Sequence, residues 1–367
     1  MKYPIPVHER SQLRGNRRGE HWPRAYLRPF SSAPRRTIQD SPRYRNEDSE
    51  NFWKVSAGHN EFWSAYVATR PRYSSSFYNL IYAHHDSHSS SWNVAHDVGC
   101  GAGQVTAELA SRFQHVIASD NNDAHLEVAR RRLETDFSDK KVSYKHSMGE
   151  QLAAHYPPSS ADLIAAAEAM VLMDEKVSLR GFERMLRPGG TLAFWFYGRP
   201  TFADHALHAN AQSLIDALMV RNWAAVIQGS GPRRQAGFKR AAEGMSSWLD
   251  YVWLDPSVWT DVHRIKWNTY GTLPFFAQEA CGFPVESVNR VGAEDEVETI
   301  EDREWWHNDW NLTELKRYFQ VLFPGFKDAV GEGSEEIHRI YDELGKIMGK
   351  QRVAFIWSVA LVIATRK

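Results

Sequence analysis

The chain has almost no cysteine. Its 367 residues contain two, Cys100 and Cys281, too few for the disulfide framework of a small secreted domain, so a reducing compartment such as the cytosol is expected. Net charge is also missing: 44 basic against 45 acidic side chains leave a formal charge of -1. That balance gives no global attraction to nucleic acid or to an acidic membrane surface. Long apolar runs are absent as well. The longest, Ala161 to Met173 and Val353 to Ala364, fall short of the ~20 residues that span a bilayer, and no apolar stretch near the N-terminus reads as a secretory signal. These absences point to a soluble protein with a small-molecule or neutral protein partner, no membrane span and no nucleic acid. His84, His85 and His88 cluster in a polar stretch, Ala83 to Ser91, but no cysteine or carboxylate stands near them at ligand spacing. They read as a loop, and no metal is expected.

What is present divides the chain into four parts. Residues 1–50 carry Arg10, Arg14, Arg17, Arg18, Arg24, Arg28, Arg35 and Arg36 among few acids and read as a flexible basic tail. The excess of arginine also fits a mitochondrial transit peptide, but Pro4, Pro6, Pro23, Pro29 and Pro34 spoil the amphipathic helix that such a peptide uses. Residues 51–198 form an α/β core: two short helices broken at Pro71, then strand-like and helix-like segments in alternation from Trp92 to Tyr197. Alternation of that kind marks a parallel sheet with helices on both faces. Leu186-Arg187-Pro188-Gly189-Gly190 reads as a stop and turn before the last of these strands. Residues 199–350 read as a helix-rich substrate lid, with Trp248, Trp253, Trp259, Trp267, Trp305, Trp306 and Trp310 packed over the carboxyl edge of the sheet or filling core. Residues 351–367 read as a final strand returning to the sheet.

The chemistry concentrates where the first strand ends. Asn93 to Val98 runs into Gly99, Gly101 and Gly103, and helix formers follow from Val105. Glycines there let backbone N–H groups approach a ligand at the carboxyl end of the sheet. A dinucleotide fingerprint needs a third glycine where Gln104 stands, so pyrophosphate is disfavoured. A cofactor with an α-amino group, a carboxylate and a sulfonium suits Asp97 just ahead of the turn. Asp120, at the end of the second strand, stands about 20 residues on, the offset of an acid that binds ribose hydroxyls, with Asn121 beside it; Asp123 is expected to cap the next helix.

These residues resemble a class I S-adenosylmethionine-dependent methyltransferase, and within it the fungal and bacterial small-molecule branch similar to trans-aconitate methyltransferases. The resemblance runs from about Phe62 to Tyr197 and, more weakly, through Trp259 to Gly271, Asn308 to Pro324 and Trp357 to Lys367. It implies a Rossmann-like sheet and S-adenosylmethionine as cofactor. It implies that Arg70, in Tyr66 to Tyr73, reaches the cofactor carboxylate, that Gly149 and Glu150 lie near the adenine, and that Ala167 belongs to the loop after the fourth strand. The branch usually carries a His-Trp pair where Val171-Leu172 stands and an amide where Glu168 stands, which argues against trans-aconitate as acceptor.

Methyl transfer is an in-line displacement, so the protein must align the groups and exclude water. A carboxylate acceptor needs no base, whereas a hydroxyl does. Glu168 and Tyr197 are the candidates, with His205 behind them. Trp195, Tyr197 and the lid tryptophans suggest an apolar or aromatic acceptor, such as the carboxylate or hydroxyl of a fungal-type secondary metabolite. The alternative is a protein of the same fold that binds S-adenosylmethionine but catalyses a non-methylating rearrangement or cyclisation, or serves in regulation.

Overall fold

A computed structural model of the protein describes residues 60–205, 207–228, 232–269, 273, 282–322 and 335–367. The expected basic tail, residues 1–50, lies outside the described residues. Two helices, α1 (Asn60–Thr69) and α2 (Ser75–His88), precede the sheet, parted by Pro71 as expected. The next five strands are β1 (Val94–Val98), β2 (His115–Asp120), β3 (Val142–His146), β4 (Ala161–Ala167) and β5 (Leu186–Phe202), with α3 (Gln104–Arg112), α4 (Asp123–Leu133) and α5 (Glu175–Met185) between them. They pair in parallel in the order β3-β2-β1-β4-β5. The chain starts in the middle at β1 and winds outward both ways, which leaves a crevice beyond the carboxyl end of β1. Residues 161–166 of β4 are all buried, and apart from Asp162, which pairs with Arg187, they are the apolar run of a parallel strand covered on both faces. The Rossmann-like α/β reading of the fold holds.

The last strand, β9 (Val353–Arg366), lies antiparallel between β5 and β6 (Trp259–Trp267). Then β7 (Glu296–Ile300) extends the edge parallel to β6, and β8 (His307–Trp310) pairs with β9. Residues 199–350 are therefore not a helical lid throughout. Helices α6 (Ala209–Gln228), α7 (Pro232–Ser246), α8 (Leu312–Gln320) and α9 (Glu335–Met348) share that stretch with three strands of the sheet. The alternation of β6 was masked because its register shifts between Thr260 and His263, where Asp261 takes a φ of 46°. The bulge breaks the two-residue period that identifies a strand. No described helix is long and apolar enough to cross a membrane.

Most of the tryptophans fill core rather than cover a cleft. Trp267 stacks on Trp305 with ring centroids 4.2 Å apart, Trp310 meets Trp357 edge-on at 5.0 Å, and Trp306 packs on Phe77 at 5.4 Å. Trp195 and Trp357 are among the largest fully buried side chains, and only Trp253 of the group is half exposed.

Two further expectations are corrected. The Leu186 to Gly190 stretch does stop α5, which ends at Met185 with Leu186 as its C-cap, but it forms no separate turn, because β5 already starts at Leu186 and includes it. Ala161 pairs with Leu186 but Leu163 pairs with Thr191, so the extra residues form a bulge. Gly189, at a φ of 77°, has the carbonyl of His88 only 2.9 Å from where its Cβ would sit, and the glycine lets α2 end against the strand. The histidine stretch is helical rather than a loop: His84 Nε2 meets Thr365 Oγ1 at 2.8 Å, His85 Nδ1 meets Thr191 Oγ1 at 2.8 Å and His88 Nε2 meets Asp261 at 3.0 Å. These imidazoles pin α2 to β9, β5 and β6, and among the described residues no three metal-ligating side chains converge.

Candidate active site

The turn after β1 is built from its glycines. Gly99, Gly101 and Gly103 all take positive φ, 73°, 51° and 78°, a region that costs a residue with a Cβ roughly 1–2 kcal/mol. The N–H groups of Gly99 and Cys100 both donate to the Ser119 carbonyl, at 2.8 and 2.9 Å, which ties the turn to the end of β2. A Cβ on Gly99 would lie 2.6 Å from that of Ala169, whereas one on Gly101 would meet nothing within 4 Å. Gly103 differs in use. Its position lies 3.0 Å from Leu133 Cδ1 and 3.1 Å from Ala129 Cβ, so this glycine lets α3 pack closely on α4 and does not reach the cavity.

A cavity of about 210 Å³ opens beside this turn. Of the residues expected at a site, Asp97, Gly99, Gly101, Asp120, Asn121, Gly149, Glu150, Ala167, Glu168 and Tyr197 line it, while Gly103 and Arg70 do not. His205 is exposed just beyond β5 and takes no part. Trp195 and the lid tryptophans are also absent from the wall. Its aromatic side comes instead from Trp63 and Tyr66 on α1 and Tyr73 just ahead of α2, to none of which the sequence assigned a role. Trp63 meets His125 edge-on at 4.8 Å and Tyr66 at 5.4 Å. The spacing of Trp63 and Tyr66 on one face of α1 was the available signal.

Four acidic side chains face this space, each differently engaged. Asp97 is buried; Oδ2 accepts a hydrogen bond from the Thr106 hydroxyl at 2.5 Å and Oδ1 has no partner among the described residues. Burial pushes its carboxyl up to about 7, against the pull of the Thr106 bonds. Asp120 holds the turn: Oδ2 accepts from the Gly101 N–H at 3.0 Å, and Oδ1 accepts from the Asn122 N–H at 2.9 Å and lies 3.1 Å from His125 Nδ1. The cap of α4 is Asn122, whose side chain accepts from the Ala124 N–H at 3.0 Å, and not Asp123 as expected; Asp120 has already turned the chain by bonding that same Asn122 amide. Glu150 accepts from the Asp174 N–H at 2.9 Å and so joins the loops after β3 and β4.

Glu168 is the strained one. Its φ is 56°, an uncommon state for a non-glycine residue that concentrates at functional positions. Its N–H donates to the Trp195 carbonyl at 2.8 Å, and its Oε1 accepts from the Tyr197 N–H at 2.6 Å. Burial raises its carboxyl to about 8, opposed by the Tyr197 N–H and the Arg70 charge. For Tyr197 burial drives the phenol well above its ordinary value despite Arg70, so it stays protonated and is not a proton acceptor near neutral pH. Arg70 sits behind the wall: Nη2 donates to the Leu322 carbonyl at 2.5 Å, Nη1 to the Tyr197 hydroxyl at 3.4 Å, and the guanidinium lies 4.2 Å from the Tyr66 ring centroid and 5.7 Å from that of Tyr318.

A methyltransferase-domain family model matches residues 95–190, from β1 through the β5 bulge. The methyltransferase pgmE of Aspergillus terreus is 36% identical over 326 residues, covering 87% of this chain and 97% of its own. The methyltransferase cfoB of Aspergillus candidus is 38% identical over 312 residues, covering 83% and 95%. The chain belongs to the class I S-adenosylmethionine-dependent methyltransferases. A solved structure described as a type II methyltransferase from Anaeromyxobacter dehalogenans shares the fold, with a TM-score of 0.51 at 19% identity over 81% of this chain and 97% of its own. The protein is thus a methyltransferase that uses S-adenosylmethionine, and the cavity suits that cofactor. The unpartnered Asp97 Oδ1 is an acceptor for an ammonium group, the open side of Gly101 admits a ligand against the backbone, and the aromatic wall suits a sulfonium.

Proposed function

We propose that the protein methylates a hydroxyl oxygen of an apolar or aromatic small molecule of the secondary-metabolite kind. In this reading Asp97 holds the cofactor's amino group and Asp120 its ribose, against the backbone of Gly99 and Gly101. Asn121, Gly149 and Glu150 lie at the adenine, and Ala167 floors the cavity. Helices α6 and α7 act as the substrate lid; Tyr251, just past α7, donates to the Met170 carbonyl at 3.0 Å, which supports a lid anchored at the turn after β4. Trp63, Tyr66, Tyr73, Leu172 and Met173 on the wall support an apolar or aromatic acceptor. The relatives named above are fungal, in keeping with a fungal-type metabolite.

One observation carries the choice of hydroxyl over carboxylate. Among the described residues no lysine or arginine lines the cavity, whereas Asp97, Asp120, Glu150 and Glu168 do. An anionic acceptor would find no partner cation there, whereas a neutral hydroxyl would meet a proton acceptor in the ionised Glu168. Glu168, with its carboxyl near 8, takes the proton from the acceptor O–H as the new O–CH3 bond forms and the S–CH3 bond breaks; it then releases that proton to solvent. A base whose value lies near the working pH is the effective kind. The cofactor supplies the methyl group, and Tyr197 orients Glu168 through its backbone N–H.

The test pairs phenols with the carboxylic acids of the same skeleton, each incubated with methyl-labelled cofactor. Label is expected on the hydroxyl compounds. Transfer to the acids alone would overturn the assignment.

A further inference from the structure

We propose that Arg70 is a positioning residue for the reaction: it acts on Glu168 from behind the cavity wall, through Tyr197, and couples the base to the end of α8 instead of gripping the cofactor carboxylate. This rests on the reading of Glu168 as the base.

The geometry is a chain of contacts with Tyr197 at its centre. On one side the Tyr197 N–H donates to Glu168 Oε1 at 2.6 Å. On the other the Tyr197 hydroxyl receives Arg70 Nη1 at 3.4 Å, a long contact. A second Arg70 nitrogen donates to the carbonyl of Leu322 just past α8. The guanidinium is held between the rings of Tyr66 on α1 and Tyr318 on α8, and Arg70 is absent from the cavity wall. A cation fixed in this way has few ways to swing toward a ligand, but its field reaches Glu168. That field favours the charged carboxylate and opposes burial, which disfavours it. Tyr66, Tyr73 before α2, Tyr197 on β5 and Tyr318 on α8 also face the pair, and burial drives the phenols of Tyr73, Tyr197 and Tyr318 upward. The protonation of Tyr73, Tyr197 and Tyr318 therefore does not change across the range in which Glu168 titrates. The Arg70 Nε–H has no partner among the described residues, so cofactor affinity must be measured alongside activity.

The experiment compares wild type, R70Q, R70K and E168Q in the full chain. It measures the pH profile of kcat/KM and calorimetric affinity for S-adenosylhomocysteine, which also reports a folded cofactor site. We expect R70Q to move the acidic limb of the profile up by about one pH unit, as loss of a neighbouring opposite charge requires. R70Q should hold cofactor affinity within about threefold, and R70K should bring the limb back. A tenfold or greater loss of affinity in R70Q with the limb unmoved would overturn the proposal and return Arg70 to the cofactor. An unmoved limb with unchanged affinity would overturn it too. E168Q separates the two readings: if it abolishes the limb while R70Q leaves it in place, only the role of Arg70 fails, and if E168Q keeps the limb, the base assignment itself fails.

Discussion

Glu168 and Tyr197 bond across the point where β4 and β5 part: the carboxylate of one accepts the backbone N–H of the other at 2.6 Å. The Glu168 N–H meanwhile holds the Trp195 carbonyl at 2.8 Å. These two bonds offset the cost of a left-handed glutamate and keep one carboxylate oxygen in a set direction at the cavity wall.

The first prediction concerns that carboxylate. E168Q keeps an acceptor for the Tyr197 N–H but cannot take a proton, so kcat/KM should fall by roughly 10²–10⁴ while the cofactor still binds. Because the wild-type carboxyl titrates near 8, activity should rise with pH through that value, and the rise should vanish in E168Q. Steady-state kinetics across pH 6 to 9.5 checks both.

Asp97 gives a second. Its carboxyl sits near 7 because it is buried, and a bound ammonium favours the charged form. Cofactor affinity should therefore weaken as pH falls through 7, when the free protein takes up a proton that binding must displace. In D97N that dependence should disappear and affinity should drop by about 10-fold or more, the scale of one lost charge-assisted hydrogen bond. Calorimetric titration at several pH values reads both effects.

The glycines separate binding from packing. G103A adds a methyl at a φ of 78° and 3.0–3.1 Å from Leu133 and Ala129. It should destabilise the protein by roughly 1–3 kcal/mol, while the folded fraction binds cofactor normally. G99A would place its methyl 2.6 Å from Ala169 Cβ, between the cavity-lining loops, and should damage both stability and binding. Thermal melts with and without S-adenosylhomocysteine distinguish the two.

Much of the lining of this candidate cavity was legible because the residues leave marks at short range. Three glycines at alternate positions, an acid before them and an acid one strand later are local patterns, and the cavity collects Asp97, Gly99, Gly101, Asp120 and Glu168. What the sequence did not place depends on contacts between distant segments. Gly103 looks like its neighbours until α4 is packed against it. Arg70 stands in a motif that suggested the cofactor, but only the fold brings Leu322 and Tyr318 around it. The tryptophans of residues 199–350 read equally as lid or core, and the bulge at Asp261 hid that β6 belongs to the sheet. His84 and His88 looked like loop residues because their hydrogen-bond partners, Thr365 and Asp261, are far along the chain.

Those histidines give a fourth prediction. Burial, with His88 and His263 nearby, lowers His84 to about 3 from an ordinary 6.5, so the folded protein keeps it neutral where the unfolded chain would protonate it. Stability is unaffected by this group above pH 6.5 and is lost progressively as pH falls from 6.5 toward 3. H84Q, which can still bond Thr365, should flatten that decline. Urea unfolding at pH 7.5 and pH 5 measures the difference, and an equal decline in both proteins would count against the assignment.

The most direct measurement is the binding of S-adenosylhomocysteine to the intact protein and to D97N by isothermal calorimetry at pH 8. The account predicts a single site in wild type, with affinity reduced by about tenfold or more in D97N. A folded wild-type protein that gives no binding heat, or a D97N protein that binds as tightly as wild type, would contradict it.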